Sequence, residues 1–219
     1  MTIALFASGL CAFILVMNII SMLIMARRCR ARSRALPPPK NAPPVSIVRP
    51  LRGVEPYSEE TIRATFMLNY PDYEVLFCVQ NPGDPIIEIV ERIKSEFPHR
   101  SARLLVGDDK ISVNPKLNNC FKGWNAAAHD FIILADSNAL APPDYIQTML
   151  AAFKEDTALT ISMPIGSRPL SFWAAVECAI LNTFQARWQY GAEAIGIGFA
   201  QGKNMMWRRD VLDRVGGIR

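Results

Sequence analysis

The hydrophobic residues of this chain form one long N-terminal run and, after it, short segments that alternate with polar ones. No charged residue lies between Ile3 and Met25, a run of 23 residues. A helix needs about 20 apolar residues to cross the hydrocarbon core of a bilayer, and it satisfies its own backbone hydrogen bonds there. The pattern predicts one N-terminal transmembrane helix over residues 1–26.

The charges around this run indicate its orientation. No Lys or Arg precedes the run, and five arginines follow it: Arg27, Arg28, Arg30, Arg32 and Arg34. A cleaved signal peptide, the alternative, is shorter and carries its positive charge before the apolar run. Because positive residues stay on the cytoplasmic side of a membrane, we expect the rest of the chain to face the cytoplasm.

The pattern beyond this helix predicts a linker and an α/β domain. Residues 27–44 are basic and then proline-rich, with five prolines among residues 35–44, which makes a stiff, extended spacer. Apolar runs typical of buried strands then alternate with helical periodicity. The predicted strands are 45–48, 73–79, 102–106, 131–135 and 158–163, and the predicted helices are 58–67, 85–97, 115–128 and 142–153. This alternation predicts a mostly parallel sheet flanked by helices over residues 45–219.

Charge and cysteine content exclude some classes of protein. The net charge of +4 arises near the membrane: residues 27–40 contain six Lys and Arg, whereas residues 41–219 contain 18 bases and 20 acids. A slightly acidic domain argues against nucleic acid as a partner. The basic segment is typical of one that contacts anionic lipid headgroups. Five scattered cysteines without CxxC spacing indicate neither a disulfide framework nor a zinc site.

The residues that follow the predicted strands form the candidate site, because ligands of such sheets bind beyond the carboxyl ends of the strands. Asp136 ends the apolar run of residues 131–135. A carboxylate there suits a Mg or Mn ion that bridges to a diphosphate, although an ordinary turn aspartate has the same pattern. Asp84 lies in a Pro-Gly-Asp-Pro turn, where it either accepts hydrogen bonds from the ring N–H of a ligand or simply forms the turn.

Three further residues are candidates at helix and loop positions. Lys116 follows Pro115 at the start of a predicted helix. The helix dipole disfavours an ammonium there, and a bound diphosphate would resolve that conflict; a solvated surface lysine is the alternative. Gly202 and Lys203 follow the glycine-rich residues 191–198 and lack the P-loop pattern. They belong either to a loop that closes over a substrate or to an ordinary linker.

An aromatic stretch separates the last predicted strand from these glycines. Residues 170–190 contain five aromatic residues and only Glu177 and Arg187 as charges. Helices of this composition lie at a membrane interface or pack into a protein core. The N-terminal anchor favours the first interpretation.

Several segments together resemble the ceramide glucosyltransferase family, which consists of inverting lipid glycosyltransferases of the GT-A type. They are residues 45–56, 73–80 and 114–119 and the dipeptide Asp136-Ser137. The resemblance runs from about Val45 to the end of the chain, and the N-terminal helix also fits. It implies transfer of a sugar, glucose or a related hexose, from a UDP-sugar to a membrane lipid such as ceramide or diacylglycerol. It also implies a divalent cation, Mg or Mn.

The resemblance implies roles for individual residues. Asp84 is similar to the family's first essential aspartate, which helps to hold the nucleotide, and Asp136 to the second, in the metal-binding position. Lys116 matches the lysine of the family's Asn-Pro-Lys segment, near the nucleotide-sugar. Gly202 and Lys203 lie where the family has a loop on the acceptor side.

Two departures from the family pattern bear on activity. Asn138 stands where a full DxD motif has its second aspartate. The family's general base should follow soon after Gly216-Gly217-Ile218, so we expect it beyond Arg219, and residues 45–219 are expected to form an incomplete GT-A domain. The alternative hypothesis is a non-catalytic, membrane-tethered module that binds a nucleotide-sugar or a lipid.

Overall fold

The computed structural model describes residues 2–29 and 35–218. The chain forms two compact units: Met1–Arg34 with Met163–Gln201, and Ala35–Ser162 with Gly202–Arg219. The helices are α1 (Thr2–Cys29), α2 (Ser58–Phe66), α3 (Ile86–Glu96), α4 (Pro115–Ala126), α5 (Tyr145–Leu150), α6 (Phe172–Ile180), α7 (Ala186–Ala194) and α8 (Arg209–Arg214). A π-helical turn, Leu181–Gln185, joins α6 to α7. The strands are β1 (Val45–Leu51), β2 (Tyr73–Val79), β3 (Ser101–Val106), β4 (Phe131–Leu134), β5 (Leu159–Ile161) and β6 (Met205–Arg208).

The larger unit is built on a six-stranded sheet in the order β3-β2-β1-β4-β6-β5. Strands β1 to β4 pair in parallel, and β6 is antiparallel to both β4 and β5. The predicted α/β fold with a mostly parallel sheet is therefore confirmed. Because β1, β2 and β4 run parallel to one another, their carboxyl ends lie at the same edge of the sheet.

Helices cover both faces of this sheet. Every residue of β1 and β2 is buried, as expected for central strands of a parallel sheet. One face packs against α2 and α3 through Ile62, Phe66 and Val90, which are almost fully buried. Burial of each such side chain stabilises the fold by roughly 1.5–3 kcal/mol. Helix α4 covers part of the other face with Cys120 and Trp124.

Strand β1 continues three residues beyond its predicted end at Val48. Pro50, a residue type that usually ends a strand, lies within β1, opposite Cys78 of β2. Pairing with β4 stops at Val48, so β1 has a strand neighbour on only one side at Pro50. A proline is tolerated at such an edge-like position because the missing N–H removes no ladder hydrogen bond there.

The smaller unit contains α1, α6, the π-helical turn and α7. Residues Thr2–Arg28 are long and apolar enough to cross a membrane, in agreement with the predicted N-terminal span. Helix α1 contacts α7, and Arg28 forms an ion pair with Glu193. Arg30, Arg32 and Arg34, on which the orientation argument partly depends, lie outside the described residues.

Candidate active site

Two predicted site residues from distant parts of the chain meet at the carboxyl edge of the sheet. Asp136 follows β4, and Lys116 lies in the first turn of α4. The Lys116 ammonium forms an ion pair with the Asp136 carboxylate. The same ammonium donates a hydrogen bond to the carbonyl oxygen of Gly202, 3.2 Å away. A cation, a carboxylate and the predicted acceptor-side loop therefore share one site.

The ion pair explains how a lysine is accommodated at a helix N-terminus. Helix α4 begins at Pro115, and the Asn114 side chain caps it by accepting a hydrogen bond from the backbone N–H of Lys116 at 3.0 Å. The positive end of the helix dipole disfavours the nearby ammonium, and the Asp136 carboxylate supplies the compensating negative charge. The Asp136 side chain is 13% exposed and that of Lys116 is 47% exposed, so the pair is open to solvent from the lysine side.

Arg49 of β1 holds the backbone that carries Asp136. Its guanidinium is buried and donates hydrogen bonds to the carbonyl oxygens of Asp136 (3.1 Å) and Ser137 (2.7 Å). It also donates to the carbonyl oxygen of Thr61 (2.6 Å) and to the hydroxyl of Thr65 in α2. One side chain thus joins β1, α2 and the loop after β4. Burial lowers the pKa of Arg49 to about 10, so the guanidinium is still charged at neutral pH.

Asn204 fixes the same loop from the side of β6. Its side-chain oxygen accepts a hydrogen bond from the backbone N–H of Asp136 at 3.2 Å, and its carbonyl accepts one from the N–H of Ser162 at 3.1 Å. Asn204 has a φ of 44°, a left-handed conformation in which asparagine is enriched. Arg49 and Asn204 place the Asp136 carboxylate from two directions.

Asp84 lies at the same edge of the sheet, but its carboxylate contacts backbone. Its two oxygens accept hydrogen bonds from the N–H of Gly53 at 3.0 and 2.9 Å, and one also accepts from the N–H of Ile86 at 3.0 Å. Gly53 has a φ of 64°, which favours glycine. Within the described part of the chain, Asp84 forms no hydrogen bond or ion pair with Lys116 or Asp136. A carboxylate offers about four acceptor positions, so Asp84 keeps capacity for a ligand.

Gly202 and Lys203, the two residues predicted to lie on the acceptor side, differ in their contacts. Gly202 has a φ of 70°, and its carbonyl is the one that Lys116 reaches. Lys203 is half-buried, and its ammonium has no hydrogen-bond or ion-pair partner among residues 2–29 and 35–218. It is therefore available to a negatively charged ligand.

A buried lysine that no sequence pattern singles out binds backbone carbonyl groups at the ends of two strands. Lys122 of α4 donates hydrogen bonds to the carbonyl oxygens of Val79 (3.1 Å), the last residue of β2, and of Gly107, which follows β3. Asn118 holds the loop between β3 and α4, because its side-chain oxygen accepts hydrogen bonds from the N–H groups of Ile111 (3.1 Å) and Ser112 (2.9 Å). An Asn-Asn pair and a lysine on an amphipathic helix are common on solvated surfaces, so only packing reveals these roles.

The site suits a divalent cation only together with a ligand that brings its own oxygens. Among the described residues, no group of three or more His, Cys, Asp or Glu side chains is arranged to hold a metal. Asp136 provides one carboxylate, and Asn138 is exposed beside it. Magnesium is commonly bound through one or two carboxylates with substrate phosphates and water as its other ligands. The donor set therefore fits a phosphate-bridging cation.

A cavity of about 390 Å³ lies elsewhere in the larger unit, between α4 and α8. It is lined by Phe121, Trp124, Asn125, Asp213, Gly216, Gly217 and Ile218. None of the predicted site residues lines it. We place the candidate site at the carboxyl edge of the sheet, because charged groups from separate elements converge there.

The fold is that of GT-A glycosyltransferases. A mannosyltransferase from Pyrobaculum calidifontis, solved in complex with GDP-Man and Mn2+, superposes with a TM-score of 0.60 at 18% identity and covers 96% of this chain and 57% of that chain. The profile of glycosyl transferase family 21 matches residues 10–219. This chain belongs to glycosyl transferase family 21.

The curated relatives agree with that assignment. Ceramide glucosyltransferase 1 of Caenorhabditis elegans is 25% identical over 210 residues, which cover 95% of this chain and 45% of that protein. The ceramide glucosyltransferase of Komagataella phaffii is 36% identical over 112 residues, 49% of this chain and 22% of that protein. The resemblance to ceramide glucosyltransferases is confirmed. The chain spans less than half the length of the curated relatives it matches.

Proposed function

We propose that this chain carries the donor-binding part of a membrane-anchored glycosyltransferase. The enzyme transfers glucose or a related hexose from a UDP-sugar to a lipid such as ceramide or diacylglycerol. One observation carries the proposal: Lys116, Asp136 and Gly202 converge at the carboxyl edge of the sheet, where α/β proteins bind ligands. The relatives named as ceramide glucosyltransferases support the sugar and the lipid class.

The diphosphate of the donor lies, in this proposal, between Lys116 and Asp136. The Lys116 ammonium moves from the Asp136 carboxylate to a phosphate oxygen, which also lies favourably at the N-terminus of α4. A Mg or Mn ion held by Asp136 and the diphosphate would act as a Lewis acid and neutralise charge on the leaving group. The P. calidifontis enzyme was solved with Mn2+ and a nucleotide-sugar, which supports this cofactor class.

The remaining residues have positioning roles in the proposed reaction. Arg49 and Asn204 hold the Asp136 loop, so the carboxylate does not have to reorganise when the donor binds. Asp84 holds the loop of Gly53 and offers a further acceptor to the nucleotide. Gly202 and Lys203 lie on the acceptor side. Inversion at the anomeric carbon by a single displacement is the expected chemistry.

We further propose that α1 anchors the enzyme and that its catalytic unit faces the cytoplasm. Helix α1 is long and apolar enough to span a bilayer, and Arg27 and Arg28 follow its apolar run. The basic residues favour the cytoplasmic side. A membrane anchor would keep the active site near a lipid acceptor.

The test measures donor binding and transfer with matched variants. The chain in lipid nanodiscs is titrated with UDP-glucose, UDP-galactose, UDP-N-acetylglucosamine and GDP-mannose, with and without Mn2+. Membranes that contain the complete protein are supplied with the same labelled donors. We expect one UDP-sugar to bind in a Mn2+-dependent manner and to label the lipid extract, and Asp136→Ala to remove both signals. Asp156→Ala is the control, because Asp156 is exposed and precedes β5 at the opposite edge of the sheet.

Each outcome separates the hypotheses. Binding that is unchanged in Asp136→Ala would contradict the assigned site. Donor binding without any labelled lipid from the complete protein would support the alternative of a non-catalytic binding module. Labelling only from GDP-mannose would contradict the proposed donor class.

A further inference from the structure

The helical rod formed by α6, the π-helical turn and α7 exposes large aromatic side chains. Phe172 is 72% exposed, Trp173 76%, Phe184 56% and Trp188 58%, and no residue of α6 is buried. The sequence left two interpretations of this stretch open, a core helix or a helix at a membrane interface. Side chains that are exposed to this extent are not packed in a protein core. Soluble proteins rarely leave contiguous apolar patches uncovered, so these exposed aromatic side chains indicate a contact surface.

The rod is tightly organised on another face. The Asn182 amide donates to the carbonyl oxygen of Gly166 and accepts from its N–H, both at 2.8 Å. A Cβ at Gly166 would lie 2.8 Å from the Cα of Cys178, so the chain before α6 runs directly over the rod. One face is thus covered by the chain itself, whereas the four aromatic side chains remain exposed.

The position of the rod along α1 gives its depth in the proposed membrane. Helix α1 contacts α7, and its half-buried residues recur on one face: Asn18, Ser21, Ile24 and Met25. At 1.5 Å per residue they lie within about 15 Å of Arg28, half the thickness of the hydrocarbon core. Arg28 itself is paired with Glu193 at the end of α7. Helix α7, which forms one end of the rod, therefore lies against the half of α1 that is nearest to the basic end.

The charges of the rod distinguish lying along the membrane from crossing it. Residues 172–194 contain Glu177, Arg187 and Glu193. Three charges on such a segment oppose insertion across the hydrocarbon. At the headgroup boundary, charged residues remain hydrated while aromatic rings enter the acyl region. Tryptophan suits this boundary because its ring is apolar and its N–H is polar.

We infer that α6 and α7 lie in the interfacial layer of the cytoplasmic leaflet, with Phe172, Trp173, Phe184 and Trp188 in contact with lipid. The inference rests on the proposed span of α1 and adds a second membrane contact to it. The occupant of the aromatic face is the lipid of the same bilayer that α1 crosses. The ion pair of Arg28 with Glu193 fixes the end of α7 at the basic end of the span.

Quenching of tryptophan fluorescence by brominated lipids tests this surface. The chain has four tryptophans, of which Trp173 and Trp188 are on the rod, and Trp207 lies in β6 of the sheet. The full chain is reconstituted in vesicles whose lipids carry bromine either near the headgroup or near the bilayer centre. We expect stronger quenching by the shallow bromines, loss of most of that quenching in the variant Trp173→Phe with Trp188→Phe, and retention in Trp207→Phe.

The same vesicles separate failure of this surface from failure of the anchor. Because both substituted side chains are more than half exposed, the double variant should fold, and circular dichroism checks this. Alkali extraction reports the span. Retention in the membrane with quenching that the double variant does not change overturns the interfacial rod and leaves the anchor. Release by alkali with quenching intact removes the anchor and leaves the interfacial rod supported.

Discussion

At the scale of residues, the site depends on two cations with different roles. Arg49 is buried and donates to four oxygen acceptors, so its charge organises the backbone around Asp136. Lys116 is half-exposed, and its ammonium can leave Asp136 without disturbing a buried network. A buried arginine and a solvent-accessible lysine suit a site that must be preorganised and yet admit an anion.

The Lys116–Asp136 ion pair predicts opposite effects on metal and nucleotide binding. Replacing Lys116 with Met removes the ammonium that competes for the Asp136 carboxylate, so affinity for Mn2+ alone should rise. It also removes a charge-assisted contact to the diphosphate, so affinity for UDP should fall by about tenfold to a hundredfold. Electron paramagnetic resonance of free Mn2+ and calorimetry with UDP measure the two effects.

Lys110→Met is the control for Lys116→Met, because Lys110 is an exposed lysine of the loop before α4. It should leave both affinities within about twofold, since a solvated lysine contributes little. A parallel loss of Mn2+ and UDP affinity in Lys116→Met would mean that the ammonium supports the metal site and does not compete with it.

At the scale of elements, α4 is the helix that positions the site. Its first turn presents Lys116, its middle buries Asn118 and Lys122 under neighbouring loops, and its second half packs on the sheet. Gly123 permits this close approach: a Cβ there would lie 2.3 Å from Cγ1 of Val48 and 2.9 Å from Sγ of Cys78. Since Val48 lies on a central strand, the sheet cannot yield, and the helix position depends on this glycine.

Gly123→Ala should therefore destabilise the larger unit although alanine favours helices. Overpacking of a buried contact costs about 1–3 kcal/mol, against a helix-propensity gain of at most about 1 kcal/mol. Urea unfolding followed by circular dichroism should show a net loss of about 1–2 kcal/mol. Adding Val48→Ala should make the combined loss smaller than the sum of the two single effects.

The matched control is a helical glycine with open space around it. A Cβ added at Gly191 in α7 would have no heavy atom within 4 Å, so Gly191→Ala should be neutral or stabilise by up to about 1 kcal/mol. If both alanine variants had the same stability as the parent chain, the close approach of α4 to β1 would not be what holds the helix.

At the scale of the whole molecule, the chain combines a unit that contains the long apolar helix α1 with a unit built on the GT-A sheet. Helix α1 is exposed along most of its length, which in water would be unfavourable for so many apolar side chains. A bilayer removes that cost. In the proposed topology, the basic residues that follow the apolar run favour the cytoplasmic side for the rest of the chain.

This charge distribution predicts the topology. In sealed vesicles with the cytoplasmic face inward, the sheet unit should be protected from trypsin until detergent is added, because Arg27 and Arg28 retain it inside. A tag placed before Thr2 should be removed from intact vesicles. Immunoblots of both ends report the result, and digestion of the sheet unit in intact vesicles would reverse the proposed orientation.

Local pattern determined a large part of this architecture. The apolar N-terminal run, the alternation of strands and helices, and the position of Asp136 after β4 follow from short-range periodicity, because strands buried on both faces must be apolar throughout. Pro50 is one exception, since its place in β1 depends on how far β4 extends, and that is a property of another strand. Strand β6 is another, because the last strand predicted from the pattern ends at residue 163.

Residue pattern alone was enough for the long apolar N-terminal helix, the α/β class, the family resemblance and the residues at the ends of the strands. The tertiary structure alone decided that Lys116 pairs with Asp136, that Asp84 binds the backbone of Gly53, and that Arg49 holds the site loop. The physical reason is the range of the interactions. Periodicity and capping act within a few residues, whereas these contacts join positions 20 to 88 residues apart and exist only once the parallel strands are in register.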